Sequence, residues 1–241
     1  MIELRPYAEI GGADVGWLKA KHHFAINHHG NPAHGPLGNL YVLNDDEIAP
    51  HSGFGLHYHA NVEIITYVRE GVVTHQDNLG NKGHIPSGDV QVMSAGTGIG
   101  HSERNDENVP TRLFQIWLTP REQGGSPRWG SKPFPKSNRS GQFVVLTSGR
   151  SASDALPIRA DAEVSGAILE DGTIIEHALQ RDDDAYLIPA TGIVNVNGIR
   201  VEARDGLVIR DEASIRIEAL VNAEVVLIVT ASQRSHQPDI R

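Results

Sequence analysis

"FGLHYHANVEIITYV" occupies residues 54–68. Two histidines stand one residue apart, a glutamate follows, and the stretch runs on into "VEIITYV" (62–68), rich in β-branched residues. On a strand, residues i and i+2 share a face, so His57 and His59 project to the same side. Further strands are read in "DVQVMSA" (89–95), "TRLFQIWL" (111–118), "FVVLT" (143–147) and "AEVVLIVTA" (223–231). No segment longer than about ten residues keeps an apolar 3.6-residue period. Gly (25) and Pro (13) punctuate the runs, and the chain reads as all-β. Asn197-Gly198 predicts a two-residue type I′ hairpin, which needs positive φ at both central positions. "DNLGNKG" (77–83) predicts a longer hairpin loop.

Residues 119–142 are dense in Pro, Gly, Ser and charge, and they read as a connection between two domains. A similar order of events flanks them. Tyr67 opens a strand, a hairpin follows, and Gly88-Asp89 leads into "VQVM"; Tyr186 opens a strand, the Asn197-Gly198 hairpin follows, and Asp205-Gly206 leads into "LVIR". The economical reading is a tandem duplication of a small antiparallel barrel, one over residues 1–135 and one over 136–241. Trp129 and Phe134 are expected to pack at the junction.

With 241 residues and no cysteine, the chain has core enough to fold without staples, and disulfides, thiolate zinc sites and cysteine nucleophiles are excluded. The formal charge is −9, with 21 Lys and Arg scattered along the chain, which disfavours a nucleic-acid partner. Neither a secretory leader nor an apolar run of about 18 residues is present, so the expectation is a cytoplasmic protein without membrane association.

"GTGIGHSERN" (96–105) repeats the i, i+2 spacing with His101 and Glu103. Two strands that each present such a pair can converge on one divalent ion through three imidazoles and a carboxylate, leaving positions open for substrate. Glu63 competes with Glu103. Four residues at ~3.3 Å each carry it some 13 Å from His59 along a straight strand, so Glu103 is the expected ligand. Glu63 is then an acceptor for a ligand imidazole N–H or a plain strand residue. "KHHFAINHHGNPAH" (21–34) holds His22, His23, His28, His29 and His34, read as loop histidines, with His22 at the pocket mouth. In the second half, counting back from Tyr186 gives Glu176 and Ala178 at the ligand positions, and His177 falls off parity. The second barrel is expected to carry no metal.

The stretch "HYHANVEIITYVREGVVTHQDNLGNKGHIPSGDVQVMSAGTGIGHSERN" (57–105) resembles the signature of the pirins, a branch of the cupin superfamily, and "GPLGNLYVLNDDEIAPHSGFG" (35–55) is similar to the pirin segment before it. The resemblance implies two tandem cupin (jelly-roll) barrels, with the N-terminal one holding one divalent metal, iron first and nickel, manganese, cobalt or zinc as substitutes, through His57, His59, His101 and Glu103. It implies a quercetin 2,3-dioxygenase activity, in which a flavonol and O2 meet at the metal and Glu103 accepts the substrate's hydroxyl proton. The alternative is a metal-binding, redox-sensing regulator that docks on another protein without turnover. Tyr58 stands where pirins usually have Pro, and "HHFAI" (22–26) where they often have "HTFSF"; both departures spare the ligands.

Overall fold

The computed structural model describes residues 1–26, 28–150 and 154–232; His236 and the rest of the C-terminal stretch lie outside the described residues. Its strands form two barrels, each a seven-stranded sheet laid over a four-stranded one. In the first barrel the large sheet runs Arg128–Lys132, Val90–Ser94, Glu63–Glu70, Thr111–Leu118, Leu40–Ile48, Leu18–His22, Gly12–Asp14, and the small sheet Ser52–His59, Ile99–Asn105, Val72–Asp77, Lys82–Pro86. The second barrel repeats the order with Ile2–Arg5, Gly206–Arg210, Asp183–Thr191, Ala223–Ala231, Ala162–Leu169, Val144–Ser148, Leu156–Pro157, over Ile174–Ala178, Ser214–Ala219, Ile193–Val196, Ile199–Glu202. The predicted strands at 111–118 and 223–231 match their observed limits. Asn197 (φ 47°) and Gly198 (φ 90°) turn the hairpin as the type I′ pattern requires.

Both faces of the large sheets are covered, which is why their central strands read as unbroken apolar runs. Along Ala223–Ala231, Val225, Leu227 and Val229 fill the second barrel with Leu187, Leu207, Ile215 and Ile217. Val226 and Ile228 point the other way, into a cluster shared between the barrels with Ile65, Tyr67, Phe114, Ile116, Tyr186 and Ile188. At about 1.5–3 kcal/mol per fully buried large side chain, this shared layer fixes the two halves against each other. Phe134 belongs to it. Trp129 does not: it sits on an edge strand of the first barrel and packs inward, because residues 128–132 pair with Val90–Ser94 rather than running free.

Buried charges cross the same layer. Arg139, fully buried in a short 3-10 turn, donates to the Tyr67 hydroxyl (2.8 Å) and the Phe134 carbonyl (3.0 Å). Tyr67 donates to Glu224, which also receives Lys136 Nζ at 2.7 Å. On the other side Asp45 takes both Arg69 and Arg204.

The outer position of each large sheet is filled from a distance. In the first barrel it is Arg128–Lys132, from the segment read as a connection; in the second it is the chain's own first strand, Ile2–Arg5, with Ile2 opposite Ile209 and Arg5 opposite Gly206.

Candidate metal centre

Ser52–His59 and Ile99–Asn105 pair antiparallel with His101 opposite His57. Because His59 is two residues from His57 on the same face, the three rings meet inside the first barrel. Ring centroids are 4.4 Å apart for His57 and His101, 4.8 Å for His57 and His59, and 5.2 Å for His59 and His101. One donor nitrogen from each lies within 4.8 Å of the others, the one such group of three or more found among the described residues. Tyr58, between the two histidines, faces outward across the backbone of Gly100, where a Cβ would meet its ring at 2.6 Å; the departure from Pro therefore leaves the interior untouched.

The nitrogens are left free for a ligand. His57 Nδ1 donates to the Gly55 carbonyl at 2.7 Å, which leaves Nε2 with its lone pair. His59 Nε2 and both nitrogens of His101 are buried without a partner, a condition native interiors tolerate where an ion or water completes the group. Burial, followed by neighbouring His57, lowers His59 to about 4 and His101 to about 3, so both stay neutral and able to coordinate at physiological pH. The donor set fits a divalent ion.

Glu103 lies one strand step deeper and outside that three-histidine group. Its carboxylate is 2 % exposed and accepts three side-chain hydrogen bonds: Gln91 Nε2 (2.5 Å) and Thr66 Oγ1 (3.0 Å) on Oε1, and Gln115 Nε2 (2.7 Å) on Oε2. Opposite it in the ladder is His75, buried, stacked on Trp129 at 4.7 Å and hydrogen-bonded through Nε2 to Asp77 (3.2 Å). Burial, reinforced by Asp45 and Glu103, pushes Asp46 up to about 8. Thr66, His75, Gln91 and Gln115 escape a search for ligand motifs. The signal for the glutamines is a buried amide interrupting an otherwise apolar strand, as in "VQVMS" and "LFQIWL".

Glu63 is not near the histidines. Asn61 takes φ 56°, which resets the strand's parity, and the Glu63 carboxylate turns toward the junction to accept Ser94 Oγ (2.6 Å) and the Arg159 N–H (3.0 Å). Of the two roles expected for it, Glu63 therefore takes that of a strand residue rather than that of an acceptor for a ligand imidazole. Of the histidines at 22–34, His22 ends a strand, bonds Asn44 (2.9 Å) and lies 5.5 Å from the His29 ring. His23 is buried against the Tyr186 hydroxyl at 2.9 Å, and His34 contacts Asn31.

The second barrel supplies an internal comparison. Residues 60–62 join the first barrel's Ser52–His59 and Glu63–Glu70, whereas 179–182, one residue more, join Ile174–Ala178 and Asp183–Thr191. That extra residue shifts the parity counted from Tyr186: Glu176 and Ala178 are exposed, and Ile175 and His177 face inward. By ladder register His177, opposite Ile215, occupies the place of His59, opposite Ile99. Ile175 and Ile217 stand where His57 and His101 do, and Ala219 where Glu103 does. His177 packs against Phe143 with ring centroids 5.4 Å apart.

Residues 3–118 match the family model described as Pirin, and 145–228 match that of the quercetinase C-terminal cupin domain. A "Pirin-like protein" of Caulobacter vibrioides is 58% identical over 96% of this chain and 100% of its own length. The chain belongs to the pirin family. Other pirins agree in fold and length: the bacterial pirin YhhW of Escherichia coli, in its crystal structure with nickel(II), superimposes with a TM-score of 0.90 at 36% identity, covering 96% of this chain and 100% of that one. A quercetin 2,3-dioxygenase of Escherichia coli is 39% identical over 94% of this chain and 97% of its own length. Among the described residues no helix is long and apolar enough to cross a membrane.

Proposed function

We propose that this pirin is a metal-dependent dioxygenase that opens flavonols with O2, the quercetin 2,3-dioxygenase reaction. The observation that carries the reading is the convergence of three imidazoles, with His59 Nε2 and both His101 nitrogens unpartnered, beside a buried carboxylate held by three hydrogen bonds. His57, His59 and His101 would hold one divalent ion, with Glu103 as the fourth donor. Iron leads, and nickel, manganese, cobalt and zinc suit the same mixed N/O set. A nickel-bound relative and the dioxygenase name carried by another support the assignment. When bound, the ion supplies a Lewis-acidic site that acidifies a coordinated hydroxyl and, where it is redox-active, a centre at which O2 reacts.

The chain's own groups do the rest. A carboxylate presents about four lone-pair positions, and three on Glu103 are taken, so one position on Oε2 stays free to coordinate or to accept the substrate's 3-hydroxyl proton. Tyr41, Phe54 and Trp117, half-buried around His57 and His59, offer flat apolar surface to an aromatic substrate. The test is O2 uptake and carbon monoxide release on adding quercetin to iron- or nickel-loaded protein. Loaded protein that consumes no O2 would refute the enzyme reading and leave a metal-binding module without turnover.

A further inference from the structure

Each glutamine that touches Glu103 is itself held by an indole. Trp129 Nε1–H donates to Gln91 Oε1 at 2.9 Å, and Trp117 Nε1–H donates to Gln115 Oε1 at 3.2 Å. An indole N–H can only donate, so each amide must turn its oxygen to the tryptophan and its NH2 to Glu103. The Gln91 NH2 also reaches Thr66 Oγ1 at 3.1 Å, which obliges the Thr66 hydroxyl to donate to Glu103. Donor direction is thus fixed throughout, from the two indoles inward.

We infer that Trp117–Gln115 and Trp129–Gln91 are two positioning relays that lock Glu103 in one rotamer, as an acceptor, with a single open lone pair on Oε2 directed to the metal centre. The inference rests on the reading of the three histidines as a metal site. The second barrel argues against a purely architectural role. Tyr67 is opposed by Phe114 and Val90, as Tyr186 is by Ile228 and Val208, so the register aligns Thr66 with Ala185, Gln91 with Ile209, Gln115 with Val229 and Trp117 with Ala231. At those four positions the second barrel carries aliphatic side chains alone. The relays occur where the imidazoles are. Trp117 also stands edge-on to His59 at 4.9 Å, and Trp129 is stacked on His75, so each indole braces the centre from a second side.

The test uses the full chain with Trp117→Phe and Trp129→Phe, which keep a ring in place and remove the N–H, and with Gln115→Leu. Five quantities are read: thermal midpoint, nickel affinity by chelator competition, the visible spectrum of the cobalt(II)-loaded protein, and kcat and KM with quercetin. The expected result is a midpoint within a few degrees of the parent, a changed cobalt spectrum, and a loss of about tenfold or more in nickel affinity or in kcat. KM should move little, since a displaced proton acceptor is felt in the transition state. Nickel affinity, spectrum and kcat all within twofold of the parent in both Phe variants would overturn the inference while leaving the metal site standing. A parent that binds nickel without turning quercetin over would sink the dioxygenase reading alone, the nickel and cobalt data still deciding the relays. A parent that binds no metal would overturn both.

Discussion

Arg139→Met tests what holds the two barrels together. Methionine keeps the stem and removes the guanidinium, and with it charge-assisted hydrogen bonds to the Tyr67 hydroxyl (2.8 Å) and the Phe134 carbonyl (3.0 Å). Such bonds contribute about 1.5–3 kcal/mol each, and breaking a buried ion pair costs about 3–5 kcal/mol when the partner is left uncompensated. Glu224 is 3.8 Å from the guanidinium and keeps Lys136 at 2.7 Å, which brings the expectation to the lower end, about 3–4 kcal/mol. At about 2–4 °C per kcal/mol for a chain of this length, the thermal midpoint should fall by roughly 10 °C. Urea titration gives the same quantity isothermally, and metal content serves as the control that the first barrel is intact. Because part of the loss is a stranded carboxylate, Glu224→Gln should cost less in the Arg139→Met background than alone, a coupling of about 1 kcal/mol or more in the double-mutant cycle. A midpoint within 2 °C of the parent, or strictly additive effects, would refute the account.

Loaded protein should hold close to one divalent ion per chain by elemental analysis, and His101→Ala should lose most of it; two ions per chain would implicate the histidines at 22–34. His177→Ala, in the aliphatic barrel, should leave metal content and any quercetin turnover within about twofold of the parent, since no contact to the reacting centre is lost. Burial raises the Asp46 carboxyl from its ordinary value of 3.8 to about 8, so the protonated form is favoured by folding and stability should be lost as pH rises from near 4 through 8. Asp46→Asn, which mimics the neutral acid, should flatten that fall in the metal-free protein between about pH 5 and 8; equal slopes would count against the burial of a neutral Asp46. A fragment ending at residue 141 should aggregate although it retains all three histidines, because it bares Ile65, Tyr67, Phe114 and Ile116; a soluble, metal-loaded fragment would show the second barrel to be dispensable.

The histidine positions and the all-β class were readable because strand alternation carries information over short, unbroken stretches. His57, His59 and His101 needed only that. For Glu63 the sequence left two roles open, and the plain strand residue is the one found; the positive φ of Asn61, which the sequence pattern did not register, turns it away from the histidines. His177 was misplaced by the one extra residue at 179–182, a difference no period-two pattern registers. Trp129 was assigned to the junction because Gly and Pro around it mask a five-residue edge strand. The indole–glutamine relays draw on three strands and meet Glu103 on a fourth; Trp117 lies two residues from Gln115 within "LFQIWL", but nothing local in "VQVMS" names Trp129.

Ile2–Arg5 leaves the ribosome long before its partner strand Gly206–Arg210, because most of both barrels lies between them in the chain. Until then the segment has no sheet to join, and until it arrives the second barrel presents an unpaired edge. This closure thus joins segments far apart in sequence, a long-range pairing of the kind that forms slowly. At high concentration during refolding, the waiting strand of one molecule can seal the open edge of another with the same pairing, so swapped dimers are the misassembly this edge predicts.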